Sequence, residues 1–183
     1  MFIRSERLFL RPGWPEDWTE LLSVIGDEAF LRNLDSGASP CTMGDAIAAA
    51  RRPQDRLLPH FFVTLPTGEG TKLIGSIWLR QVEDGVELGC WIARGYCGQG
   101  YATEAVRAVL SLAAALGHRR IGAVHFVGNP ASRRVLEKTG FRLTGEREMR
   151  FSLEQGAEVS SVSYGLEIID SNVLADSQFM RAA

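Results

Sequence analysis

One stretch of the chain constrains the fold more than any other: Arg94-Gly-Tyr-Cys-Gly-Gln-Gly-Tyr-Ala-Thr-Glu-Ala105. A β-prone segment, Val86 to Ala93, leads into it. A helical pattern leads out, from about Gly100 to Leu116. Its residues Ala102, Ala105, Val106, Val109, Leu112, Ala113 and Leu116 are spaced by three and one, which makes one apolar stripe. Where a strand turns through glycines into a helix, the first-turn amides lack partners and the positive end of the helix dipole faces the turn. Gly98 and Gly100 have no Cβ to bar φ > 0 or to keep a ligand at a distance. Such a turn is suited to an anion such as a phosphate. The bland alternative is a tight strand-to-helix connection with no ligand. Two nucleotide loops fit poorly. A dinucleotide loop needs GxGxxG and an acid about 20 residues on. Thr103 stands where the third glycine would be, and no Asp or Glu occurs from His118 to Asn129. A triphosphatase loop needs GxxxxGK[ST]. Gly95 and Gly100 have that spacing, but Tyr101 and Ala102 replace the Lys and the hydroxyl.

The chain has 183 residues, 45% hydrophobic and 23% charged. That describes one ordinary globular domain, with no disordered, collagenous or coiled-coil character. Twenty Lys and Arg against 22 Asp and Glu give a net charge of −2, without the basic surplus of a nucleic-acid binder. The longest apolar run, Ala108 to Gly117, is ten residues, short of the ~20 a membrane helix needs. Arg4, Glu6 and Arg7 interrupt any signal-peptide core. The expected compartment is the cytoplasm. Three cysteines, Cys41, Cys90 and Cys97, form no CxxC, and the histidines His60, His118 and His125 are scattered. Neither a disulfide framework nor a metal site is expected.

Elsewhere the pattern predicts a strand over Met1 to Arg11, stopped by Pro12, Gly13 and Pro15. A helix follows over Pro15 to Ile25, with Trp18, Leu21, Leu22 and Ile25 on one face. Residues 33–41 form a turn-rich loop, and Thr42 caps a second helix to about Arg51. Strands are expected at His60–Leu65, Leu73–Val82 and Val86–Ala93, with Glu83-Asp84-Gly85 as a hairpin turn. After the Gly loop and its helix come a strand at Arg120–Val127 and a helix capped by Asn129, with Pro130 in its first turn and Gly140 just past its end. Strands at Phe141–Leu153 and Glu158–Ile169, joined at Gln155-Gly156, complete an α/β (α+β) order.

Three segments together resemble the GNAT superfamily of acetyltransferases. The superfamily's loop, Gln/Arg-x-x-Gly-x-Gly/Ala, is matched by Cys97-Gly98-Gln99-Gly100-Tyr101-Ala102, with Cys97 at the Gln/Arg position. Gly98 through Ala105 resembles the RimJ/RimL-like branch, which acetylates ribosomal-protein N-termini. Ser5-Glu-Arg-Leu-Phe-Leu-Arg-Pro12 is similar to that branch's opening strand. Asn129-Pro-Ala-Ser-Arg-Arg-Val-Leu-Glu-Lys-Thr-Gly-Phe141 is similar to its second cofactor motif. The resemblance implies a mixed, mostly antiparallel sheet of about seven strands and about four helices, with a splayed strand pair holding acetyl-CoA. It implies an acetyltransferase domain over residues 1–170 and a tail over 171–183.

By this resemblance the backbone of Cys90, Trp91 and Ile92 pairs with the pantetheine arm. The loop of Cys97, Gly98, Gln99, Gly100, Tyr101, Ala102 and Thr103 holds the pyrophosphate. Asn129 bonds the pantetheine, and Ser132 faces the sulfur. Each has a plainer reading: a helix cap for Asn129, a local backbone bond for Ser132 and small fillers for the cysteines. The implied reaction is acetyl transfer from acetyl-CoA to a primary amine, either a protein N-terminus or a small molecule. A non-catalytic acyl-CoA-binding domain is the alternative. Direct transfer needs the ammonium deprotonated and the thiolate protonated. Many members place a Tyr acid seven residues after the Asn; here that position is Leu136. Ser132 is then the candidate acid. Glu87 is the candidate base, with Glu146 and Glu148 as rivals. Asp35, Glu148 and Glu154 could attract a cationic acceptor, Trp14 and Trp18 could line its pocket, and Arg133 and Arg134 could meet the coenzyme's 3′-phosphate. No nucleic-acid, membrane or metal partner is expected. Phe179 and Met180 give the tail a surface for a homodimer.

Overall fold

The computed structural model describes residues 1–25, 55–83, 85–152 and 157–168. The expected loop at 33–41, the helix at 42–51, Asp35, Cys41, Glu154, the Gln155-Gly156 turn and the tail at 171–183 lie outside them. Eight strands form one sheet in the order β1-β2-β3-β4-β5-β6-β8-β7. They are β1 (Ile3–Arg4), β2 (Phe9–Arg11), β3 (His60–Thr67), β4 (Gly70–Val82), β5 (Gly85–Ile92), β6 (Arg120–Phe126), β7 (Arg142–Ser152) and β8 (Ala157–Glu167). The described helices are α1 (Trp18–Ile25), α2 (Tyr101–Ala115) and α3 (Pro130–Lys138).

The sheet has one strand more than expected because residues 1–11 do not run as a single strand. They fold back on themselves: Ile3 pairs with Leu10 and Arg4 with Phe9. Ser5 closes the turn, its N–H donating to the Leu8 carbonyl at 3.0 Å and its hydroxyl oxygen accepting from the Leu8 N–H at 3.3 Å. The sheet is antiparallel except where β5 meets β6. A parallel pair needs a crossover, and α2 supplies it. The buried stripe of α2, Ala105, Val106, Val109, Leu110 and Ala113, packs on Ile77, Leu88, Ile121 and Ala123. On the other face Leu21 of α1 packs with Phe62, Leu73 and Trp91. α1 is entered through a buried ion pair: Arg11 donates to both oxygens of Asp17 at 2.7 and 2.6 Å, and Asp17 accepts from the Trp14 N–H. Trp14 lies half exposed under the Arg11 guanidinium, 3.9 Å from ring centroid to Cζ.

Candidate active site

Strand alternation sorts the centre of the sheet into two faces. Leu88, Cys90 and Ile92 of β5 pack toward the α2 side, while Trp91 packs toward α1. Glu87 and Gly89 alternate with the first set and share the face of Trp91. On β6, Ile121 and Ala123 lie with α2 in the core, and His125 continues that face.

β5 and β6 touch through only three pairs: Val86 with Ile121, Glu87 with Gly122 and Leu88 with Ala123. Beyond Leu88 the two strands part. β5 stays paired to β4 through Ile92, and β6 stays paired to β8 through Phe126. The splay opens a cavity of about 620 Å³ that reaches both faces of the sheet. Glu87, Cys90, Trp91, Ile92, Cys97, Gly98, Gly100, Tyr101, Ala102, Thr103, Asn129 and Ser132 all line it. Of the loop residues expected to hold the pyrophosphate, Gln99 does not.

The Gly loop is built by local rules. After β5 a short 3-10 turn, Arg94–Tyr96, closes through Tyr96 N–H to Ala93 O at 2.8 Å. Gly98 and Gly100 then take φ of +76° and +86°, the left-handed region that side chains resist. Gly100 caps α2, whose first intrahelical bond is Glu104 N–H to Gly100 O at 3.0 Å. The amides of Tyr101, Ala102 and Thr103 are the orphan donors of that turn. A Cβ placed on Gly98 would meet nothing within 4 Å, so the loop's outer side is open to a ligand. Gln99 instead braces the loop, its side-chain amide donating to Gly95 O at 3.1 Å.

A brace the sequence reading missed joins this loop to the opening hairpin. Glu104 Oε1 accepts from Ser5 Oγ at 2.7 Å and from the Arg7 backbone N–H at 2.7 Å, while Oε2 accepts from Arg7 Nε at 2.8 Å. Arg7 also donates to Gln99 O at 3.1 Å and lies 4.5 Å over the Tyr101 ring. Burial pushes the Glu104 carboxyl up, but the bonds from Ser5 and Arg7 and the Arg7 charge outweigh it, and the net displacement is downward. Both ends of the brace lie in segments that resemble the superfamily, Ser5 to Pro12 and Gly98 to Ala105, but no contact between them was read from the sequence.

Asn129 caps α3, its Oδ1 accepting from Ser132 N–H at 3.1 Å. That bond occupies the oxygen and leaves the amide NH2 as the group able to donate to a ligand. Leu136 is in the core, so the position seven after Asn129 supplies no hydroxyl. Burial pushes the Cys90 thiol up to about 12 and also raises that of Cys97.

Glu87 is buried, with both oxygens engaged. Oε1 accepts from Arg80, and Oε2 accepts from Arg150 at 3.0 Å. Arg150 also holds Glu148 at 3.2 Å. Arg80 stands opposite Glu87 in the β4/β5 register, which runs to the pair Val82 with Gly85. Arg150 arrives from β7, and no sequence signal could have placed it there. Neither Glu146 nor Glu148 lines the cavity, but Arg94, Arg134 and Lys138 do. Arg133 is turned outward onto Glu137 at 2.8 Å. Among the described residues no group of three or more His, Cys, Asp or Glu could hold a metal ion. No described helix is long and apolar enough to cross a membrane.

A parted parallel strand pair beside an amide-bearing turn defines a class, and comparison with known proteins agrees. The acetyltransferase (GNAT) domain family matches residues 7–142. The chain belongs to the GNAT acetyltransferases. It is similar to YoaA of Bacillus subtilis (strain 168), an uncharacterized N-acetyltransferase, at 30% identity over 149 residues, covering 78% of this chain and 84% of that protein. A GNAT-family acetyltransferase from Bacillus anthracis is 26% identical, with a TM-score of 0.75 covering 91% of this chain and 98% of that one. RimL, a ribosomal L7/L12 alpha-N-protein acetyltransferase solved with coenzyme A, shares the fold at a TM-score of 0.71 and 18% identity, over 92% of this chain and 98% of that one.

Proposed function

We propose that the protein moves an acetyl group from acetyl-CoA directly to a primary amine, and that an α-amine, as on a protein N-terminus, is its preferred acceptor. The observation that carries this reading is the parting of β5 and β6 beside the α2 amides, within one cavity that also holds Ser132. The residues present fit the coenzyme. Two positive-φ glycines, with open space outside Gly98, let a pyrophosphate approach the amides of Gly98 to Thr103. Cys90–Ile92 of β5 lie beyond the last pair with β6 and offer backbone groups to the amides of the pantetheine arm, and the Asn129 NH2 adds a donor. Arg94, Arg134 and Lys138 supply positive charge for the phosphates.

The coenzyme supplies an activated acyl thioester with a tolerable leaving group, a thiol of pKa ~8.5. Orientation and proton movement are left to the chain. Ser132, in the first turn of α3 and on the cavity, is the hydroxyl proposed to donate to the leaving sulfur. The α-amine preference follows from acceptor chemistry. An α-amine is about 10% neutral at pH 7 and a Lys amine about 0.04%, a gap of about 3 kcal/mol. Among the described residues the carboxylate on the cavity, Glu87, is tied up by two arginines. A site so arranged favours the amine that is easier to deprotonate. RimL's action on an α-amine lends support through a shared fold. The test measures thiol release from acetyl-CoA with N-terminal peptides, polyamines, aminoglycosides and free amino acids. The expected result is fastest turnover with α-amino peptides. Tight acetyl-CoA binding with no acceptor consumed would mark a non-catalytic acyl-CoA-binding domain instead.

A further inference from the structure

His125 is 8% exposed, at the splayed end of β6. Its Nδ1 lies 2.8 Å from the Phe126 carbonyl oxygen. A carbonyl can only accept, so Nδ1 carries the hydrogen and the neutral ring presents a bare lone pair at Nε2. Among the described residues nothing bonds that Nε2. The ring rests against Tyr164, centroids 5.4 Å apart, and the residue lines the cavity with Asn129 and Ser132. A buried nitrogen acceptor with no partner is costly unless a ligand or water meets it. Phe126 O fixes the tautomer as a second residue does for many catalytic imidazoles.

We propose that His125 is the proton-accepting catalytic residue of the transfer. The inference rests on the acetyl-transfer function proposed above. The acceptor ammonium gives one proton to Nε2, directly or through one water. The freed nitrogen pair forms the N–C bond to the acetyl carbon. The C–S bond breaks with its pair on sulfur, and a second amine proton goes to that sulfur, relayed by the Ser132 hydroxyl. The third stays on the amide, and the imidazolium later releases its proton to solvent.

The surroundings suit this role better than they suit Glu87 for it. From β8 the titratable group against the imidazole is Tyr164, and from β5 the buried Cys90 thiol shares the cavity. From α3 the charges on the cavity are Arg134 and Lys138. α2 brings Tyr101 and Thr103 and no charge. Glu87 lies on the opposite face and would have to leave Arg80 and Arg150 to take a proton.

The test is His125→Asn. Its side-chain amide can keep the bond to Phe126 O while removing Nε2. His125→Gln is the second variant should the first fail to fold. Acetyl-CoA affinity is read by calorimetry, and kcat and KM are read against pH with an α-amino peptide. The expected result is affinity within twofold of wild type and kcat lower by roughly 10²- to 10⁴-fold at pH 7. That loss should narrow as pH rises and the acceptor deprotonates unaided. A variant with wild-type kcat and an unchanged pH profile overturns the assignment while leaving acetyl transfer intact. A parallel loss of acetyl-CoA affinity and kcat, unchanged by pH, also overturns it and marks a structural histidine. A wild-type protein that acetylates no amine overturns the proposed function itself, and the assignment with it.

Discussion

Glu104→Ala cuts the brace between the opening hairpin and the Gly loop. The carboxylate accepts two 2.7 Å bonds from Ser5 Oγ and the Arg7 N–H, and its side chain is only 13% exposed. The first is partly buried and the second exposed; to a charged acceptor they contribute about 1–1.5 kcal/mol each. The Arg7 guanidinium is 42% exposed, so its ion pair adds at most about 0.5 kcal/mol. The sum is about 2–3 kcal/mol, or a Tm lower by roughly 5–10 °C for a domain of this size. The pH dependence has a definite sign. A carboxyl displaced downward on folding contributes fully above its unfolded pKa of about 4.3, and the contribution is lost as pH falls through the folded value. Wild type and variant should therefore differ most at pH 6–8 and converge at acid pH. Urea titrations at several pH values read the difference. Calorimetry should show weaker acetyl-CoA binding, because Arg7 also holds Gln99 O in the loop. A difference below about 0.5 kcal/mol at pH 7, or one unchanged at pH 3, would refute the account.

Gly100→Ala forces a side chain into φ +86° at the α2 cap. The strain should cost about 1–2 kcal/mol and weaken acetyl-CoA binding in calorimetry, with the far-UV spectrum unchanged. Gly89→Ala would place a Cβ 2.2 Å from the Trp78 ring. Chemical denaturation should show a loss of about 1–3 kcal/mol from overpacking. In maleimide labelling at pH 8 read by peptide mass, exposed Cys97 should react before Cys90, whose buried thiol is pushed up to about 12. Coenzyme A should slow labelling of Cys97.

What the sequence disclosed depended on how local the cause was. The Asn129 cap and Gly140 at the end of α3, with φ +90°, are dictated within a few residues and stand as expected, and the α2 stripe does so at Ala105, Val106, Val109 and Ala113, with Leu110 buried too and Ala102, Leu112 and Leu116 half-buried. The opening segment was misjudged because alternation over residues 1–11 fits a strand as well as two short ones. The deciding bonds, between Ser5 and Leu8, are too weak a pattern to read alone. Arg80 could have been placed against Glu87, since a hairpin register that pairs Val82 with Gly85 makes them opposite. Arg150 could not, because its approach depends on how β7 crosses the sheet. His125 was one of three scattered histidines until its strand gave it a face.

A sheet whose halves share three rungs resembles two panels on a narrow hinge. A ligand whose own amides run along the parted edges would act as a partial ninth strand and finish the sheet. Folding and substrate supply are then one equilibrium: a ligand at 100 times its Kd adds about 2.7 kcal/mol to the folded state. Under the proposed function, amide exchange at Gly89–Ile92 and Val124–Phe126 would slow with acetyl-CoA, and the protein's lifetime in a cell would follow its acyl-CoA pool.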